Sequence, residues 1–183
     1  EKFKEWTNTQ KYTFDNLEND EPRIIIPLKN KGKIFGFQGR SLNPKSKLKY
    51  ITIILDDHHP KIYGLDKVDW NKTVYIVEGP FDSMFIENSI AMVGADIDKM
   101  FFITNFETEF VMVYDNEKRN KQIVDRMEKA IDWKFPIVIW PDTIQQKDIN
   151  DMILSGLNVQ SVIESNVYSG LQAKTKLTSW KKT

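Results

Sequence analysis

TVYIVEGPFD, residues 73–82, decides the architecture. Val74, Tyr75, Ile76 and Val77 form a short apolar run of the kind found in strands buried on both faces. Glu78 and Gly79 end it, and Pro80 stands where the first turn of a helix tolerates proline. PFDSMFIENS (80–89) then has helical spacing, so the stretch reads as strand, sharp turn, helix. The same grammar recurs downstream. IAMVGA (90–95) reads as a strand, DIDKMFFITNF (96–106) as a helix, and FVMVYDNE (110–117) as a second apolar strand ending in acids. KRNKQIVDRMEKAIDWK (118–134) carries Ile123, Met127, Ala130 and Ile131 at helical intervals. PIVIWPD (136–142) is a further strand, and KDINDMILSG (147–156) a short helix closed by Gly156. Strands alternating with helices predict an α/β fold with a mostly parallel sheet flanked by helices.

Upstream the pattern changes. RIIIPL (23–28), the turn KNKG and KIFGFQGR (33–40) predict an antiparallel hairpin, and LKYITIIL (48–55) a third strand. KIYGLDKVDW (61–70) reads as a helical or looped connector. The first 22 residues lack a sustained period and read as an extended lead-in. The expected organisation is therefore a small basic α+β hairpin subdomain over 1–70, the α/β unit over 71–156, and a C-terminal helix and tail over 157–183. Trp70, Trp133 and Trp140 read as packing residues. Trp180, beside Lys181 and Lys182, reads as part of a partner-binding tail.

Composition narrows the chemistry. The 183 residues include no cysteine and two histidines, which excludes disulfides and a thiolate zinc site. His58 and His59 read as a solvated turn. No apolar run approaches the roughly 20 residues that span a bilayer, so no membrane role is expected. Glu1 is not an initiator methionine, so the chain reads as a segment of a longer protein, expected in the cytoplasm. Its formal net charge is zero, but the charge is segregated. Residues 23–61 carry nine basic and two acidic side chains, whereas residues 71–151 carry nine basic and fifteen acidic. The first stretch suits a polyanion and the second suits cations.

The acids of that second stretch close strands. Glu78 ends one, Asp115 and Glu117 another and Asp142 a third, with Asp148 just beyond and Asp82 in the first helical turn. In open parallel sheets, active groups collect beyond the carboxyl ends of the strands. Several carboxylates at one rim repel one another unless cations neutralise them. A set of oxygen donors alone suits Mg²⁺ or Mn²⁺. Each acid also has a plainer reading: strand-end acids cap helices, and Asp82 can be a helix N-terminal acid favoured by the macrodipole.

EGPFD (78–82), YDNE (114–117) with Asp115 thirty-seven residues after Glu78, PD (141–142) and KDIND (147–151) together resemble the TOPRIM module of primases, topoisomerases and nucleases. Upstream, RIIIPL, GFQGR (36–40), LKY (48–50) and IYGL (62–65) resemble the basic subdomain that precedes TOPRIM in bacterial and phage DNA primases. The likeness runs from Arg23 to Leu154. It implies a Rossmann-like TOPRIM domain and template-directed RNA primer synthesis on single-stranded DNA during replication. Glu78, Asp115 and Glu117 are then the catalytic acids, with Asp148, Asp142 and Asp82 supporting metal or its waters. Glu78 is either a metal ligand or a general base. Glu117 stands where the motif has Asp, one methylene longer. Arg23, Arg40, Lys49 and Lys61 match positions suited to nucleotide phosphates or template backbone.

Implied partners are single-stranded DNA, ribonucleoside triphosphates, the RNA primer and a replicative helicase. The implied cofactor is Mg²⁺ or Mn²⁺, without zinc. Lacking cysteines, the chain has no zinc ribbon, so weak template binding and dependence on the helicase are expected. A phage-encoded form would act in the host cytoplasm. Two other functions share these acids: a TOPRIM nuclease, and a non-catalytic nucleic-acid-binding replication module. Phe35, Phe37 and Tyr50 either stack bases or fill a core.

Overall fold

The computed structural model describes residues 2–94 and 107–181. The expected helix over 96–106 lies outside them. β1 (Arg23–Asn30), β2 (Lys33–Ser41) and β3 (Tyr50–Ile54) form an antiparallel sheet in sequence order. Asn30 pairs with Lys33, and the two loop residues between them, Lys31 and Gly32, both have positive φ (50° and 76°). That is the two-residue hairpin turn whose twist matches the strands.

Strand pairing divides this sheet into two faces. Ile24 lies opposite Arg40, Ile26 opposite Gln38, and Gln38 opposite Thr52; these side chains turn toward the rest of the molecule. Phe37, Ile51 and Ile53 turn the other way, against α1 (Phe3–Gln10). Phe3 is 2% exposed and packs edge-on against Phe37 at 6.1 Å, while Trp6 meets the same ring at 4.8 Å. A helix here departs from the extended lead-in expected from sequence, and its cap explains why. Lys2 at the N-cap supplies no side-chain bond. Instead the Asp20 carboxylate accepts the backbone N–H groups of Lys4 (2.8 Å) and Glu5 (3.0 Å). The capping residue lies sixteen residues after Lys4 and ten beyond the end of the helix, out of reach of local capping patterns.

The second sheet has the order β4-β6-β5-β7-β8-β9. Its strands are β4 (Ile62–Tyr63), β5 (Val74–Val77), β6 (Ser89–Met92), β7 (Phe110–Met112), β8 (Ile137–Val138) and β9 (Val167–Tyr168). The inner four run parallel, and β4 and β9 pair antiparallel at the edges. Helices α2 (Pro80–Ser83), α3 (Lys121–Asp132), α4 (Ile149–Leu154), α5 (Val159–Ser165) and α6 (Gly170–Trp180) complete the chain. Val74, Ile76, Ile90, Met112 and Ile137 are fully buried, and Ile26, Leu28 and Phe35 of the first sheet enter the same core. The two sheets are thus fastened by one apolar interior.

Four local expectations change. The 61–70 connector contains β4, a strand too short for a periodic signal. The helix expected over 80–89 is a single turn, because Asn88 reverses the chain (φ 47°) and the buried Ser89 hydroxyl donates back to the Ile86 carbonyl. After 157 the expected helix is present as α6, but the segment up to residue 181 is built into the fold: β9 pairs with β8, and Trp180 is 3% exposed within the core rather than presented to a partner. Lys174–Asp132 (2.8 Å) and Lys181–Glu128 (2.7 Å) ion pairs flank the α6–α3 seam. His59 is half-buried, its ring stacked on Phe35 at 4.7 Å. Among the described residues no helix is long and apolar enough to cross a membrane.

Gly39 is what lets α1 dock. A Cβ there would lie 2.2 Å from the Phe3 ring. Gly39→Ala is expected to lower stability by about 1–3 kcal/mol through overpacking, measured by denaturant unfolding. In a Phe3→Ala background, where the obstructing ring is gone, the same change should cost much less.

Candidate active site

The parallel strands deliver their acids to one rim. Glu78 follows β5 directly, and Val113 N–H continues the β5–β7 pairing by donating to Ile76 O at 2.8 Å, which carries Asp115 alongside Glu78. The Asp115 N–H then donates to Glu78 Oε1 (3.3 Å). Asp82 sits in the one-turn helix α2, 8% exposed, and accepts from Asn150 Nδ2 of α4 at 2.7 Å. Asp148 is the N-cap of α4, its side chain accepting from Asp151 N–H. Asn116 brings that last loop in: its side-chain amide donates to Ile144 O and Gln146 O, both at 3.0 Å, and its backbone N–H to Lys147 O at 2.7 Å.

Glu78, Asp82, Asp115 and Asp148 line a single cavity of about 850 Å³. Its opposite wall is the inner face of the first sheet, with Gln38, Arg40, Lys49, Tyr50 and Thr52. The Arg40 guanidinium lies 4.8 Å from the Tyr50 ring centroid and 5.1 Å from that of Phe81, and donates to the Tyr50 hydroxyl. Among the described residues neither Arg40 nor Lys49 forms a salt bridge through its side chain. Acids therefore face unpaired cations across one space.

No family profile matches the chain. It is 39% identical over 171 residues to a DNA primase of Enterobacteria phage T4. The chain is a relative of that phage DNA primase. The alignment covers 90% of this chain and 49% of that primase, so the chain spans about half the length of its curated relative. The Escherichia coli primase catalytic core superposes with a TM-score of 0.62 at 20% identity, covering 91% of this chain and 59% of that one. The zinc-binding and RNA polymerase domains of the Aquifex aeolicus primase give 0.61 at 22%, covering 79% and 40%. A DnaG primase catalytic domain bound to single-stranded DNA gives 0.60 at 19%, covering 88% and 57%. These likenesses speak for the fold: this is the α/β architecture of a primase core.

Within that architecture the sequence-derived candidates separate into groups. Glu78, Asp82, Asp115 and Asp148 share the cavity with Arg40 and Lys49. Glu117 and Asp142 line a neighbouring cleft of about 560 Å³ instead. Glu117 is engaged there by Lys147 Nζ (3.1 Å) and Asn120 Nδ2 (2.8 Å), which hold its carboxyl below the usual range, the Asn120 bond foremost. Asp142 is ion-paired with Lys118. Lys61 is exposed and lies outside the cavity lining. Arg23 is on the opposite face of the first sheet, its side chain 5% exposed. Tyr50 lines the cavity, whereas Phe35 and Phe37 are core.

Sequence reasoning missed three participants. Arg126 on α3 reaches Glu78 Oε2 at 3.3 Å, Lys147 sits between Glu117 and the cavity, and Gln38 forms part of the cavity wall. Lys147 opens the KDIND stretch and was legible there. Arg126 flanks the buried stripe of α3, where a surface charge and a site charge look alike in sequence.

Burial and crowding set the charge state. Asp115 is pushed up to about 8, chiefly by desolvation and then by the charges of Glu78, Asp82, Asp148 and Glu117. Asp82 rises to about 6, by burial first and then by Asp148 and Glu78. Burial also raises Glu78, opposed by the Asp115 N–H and Arg126. The oxygen-only donors fit a hard divalent cation. Among the described residues no three acidic or histidine side chains converge on one point as a finished cage. That is consistent with like charges holding apart.

A carboxyl raised in the fold binds more protons folded than unfolded, so stability falls as pH rises through that window. For Asp115 the window runs from about 4 to about 8. In chelator, the melting temperature should fall across this range. Asp115→Asn should flatten the fall and raise the melting temperature at pH 8 by about 3–6 °C, measured by calorimetry.

Proposed function

We propose that the chain is the catalytic core of a DNA primase, joining ribonucleotides on a single-stranded DNA template. The observation that carries this is the shared cavity, lined by the carboxylates of Glu78, Asp82, Asp115, Asp148 and Asp151 and, across from them, by Arg40 and Lys49, which form no salt bridge among the described residues. Support comes from the primase named among its relatives and from a structural neighbour described as bound to single-stranded DNA.

Nucleotidyl transfer brings a 3′ oxygen in line with an α-phosphate, and the work is positioning and charge stabilisation. Arg40 suits a phosphate because its planar fork can donate two bonds. The flanking Tyr50 and Phe81 rings hold that fork in place. Lys49 adds a mobile point charge beside it. Phosphate-directed binding of this kind weakens steeply with salt. On the other wall, Asp115, Asp148, Asp82 and Glu78 would hold Mg²⁺ or Mn²⁺. The ion would neutralise phosphate charge and make the attacking oxygen a better nucleophile. Glu78, tied by Arg126 and the Asp115 amide, stays oriented toward the cavity either as a metal ligand or as a proton acceptor. Gly79 keeps room beside Asp82: a Cβ there would lie 3.1 Å from Asp82 Oδ2. Glu117 joins the metal only if Lys147 releases it. The RNA primer, ribonucleoside triphosphates and a replicative helicase belong to this proposal, as does independence from zinc.

The test incubates the chain with single-stranded DNA and labelled ribonucleotides, with Mg²⁺ and Mn²⁺ compared. Extension products are expected, and Asp115→Asn should reduce them about 10²–10³-fold while leaving DNA binding nearly intact. Arg40→Ala should raise the nucleotide KM about tenfold. Shortened DNA strands would instead mark a nuclease. Inertness of the native chain would mark a binding module.

A further inference from the structure

Arg23, on the far face of the first sheet, is built into a brace. Its Nη1 donates to Gly39 O and Lys49 O, both at 3.2 Å, and its Nη2 to Glu21 Oε1 (2.5 Å) and Ser46 Oγ (3.5 Å). The Ser46 hydroxyl donates to the same Glu21 oxygen at 2.6 Å. Behind it, the Phe3 ring of α1 lies 5.5 Å from the guanidinium. Pairing parity agrees with this placement: Arg23 lies opposite Ser41, one residue out of step with the Ile24–Arg40 pair that faces the cavity. A side chain 5% exposed, with both terminal nitrogens engaged, has no free edge for a phosphate.

What the brace holds is informative. Gly39 immediately precedes Arg40, and Lys49 immediately precedes Tyr50, whose ring flanks that arginine. Glu21, through Ser46, also ties down the 41–49 loop, whose ends are joined by Ser41 N–H donating to Lys49 O at 2.9 Å. We infer that Arg23 and Glu21 are positioning residues that fix the spacing of Arg40 and Lys49 on the cavity wall, and that Arg23 does not itself contact nucleic acid. This rests on the reading of the cavity as a phosphate-binding site.

A brace and simple electrostatics call for opposite effects of losing Glu21. Removing an acid near a cationic wall should ordinarily strengthen binding of an anion. Glu21→Gln is expected to weaken binding of a single-stranded DNA oligonucleotide about fivefold, a shift within the range that one charge-assisted hydrogen bond controls. Lys49→Ala should then cost less in the Glu21→Gln background than alone, because the two act on one feature. Amide hydrogen exchange on the same proteins should show Ser41 N–H less protected in Glu21→Gln, and Ser46→Ala gives a milder variant if folding suffers. Binding by Glu21→Gln as tight as native, or tighter, overturns the inference. If the native chain binds no oligonucleotide, the reading of the cavity falls. The exchange measurement still decides the brace: unchanged protection at Ser41 overturns it, and faster exchange upholds it.

Discussion

Like-charge repulsion among half-buried carboxylates is the constraint around which this molecule is arranged. The sheet brings Glu78 and Asp115 to adjacent strand ends, and α2 and α4 add Asp82 and Asp148 to the same cavity. No flexible loop would keep such a set together, because each acid would gain by swinging into water. Here the strands beneath them are among the most buried segments, and the backbone has no freedom to separate. The apolar core thus holds in place an arrangement that its own polar rim opposes. Strain of this sort is typical of functional sites.

The opposing wall solves a different problem. Arg40 and Lys49 need to remain available, and the nearby acids would neutralise them if contact were allowed. Two aromatic rings lie within 4.8 and 5.1 Å of the Arg40 guanidinium without consuming its charge. Glu117, by contrast, is removed from the cavity by Lys147 and Asn120. One molecule thus both quenches and preserves charge within a short distance, by choosing carboxylates or rings as neighbours.

Much of this was readable in the sequence. The apolar strands of the second sheet announced themselves because a parallel sheet covered on both faces needs continuous hydrophobic runs. Acids after those runs pointed to the rim, and Glu78, Asp82, Asp115 and Asp148 do meet there. What escaped was long-range. α1 depends on Asp20 for its cap and on Gly39 for its seat, neither of them a neighbour in sequence. Arg23 matches the family's basic pattern, although strand parity relative to Arg40 places it on the other face. β4 and β9, two residues each, are too short to carry a period. Glu117 shares a motif with Asp115, yet its partner Lys147 lies thirty residues away and draws it into another cleft.

β9 carries a wider implication. It covers the open edge of β8, and without it a buried-type strand would present unpaired N–H and C=O groups to other molecules. The segment after α4 is therefore part of the fold's defence against self-association. Any recombination or grafting that exchanges the region beyond residue 157 has to supply a replacement border for that sheet, whatever else the new segment brings.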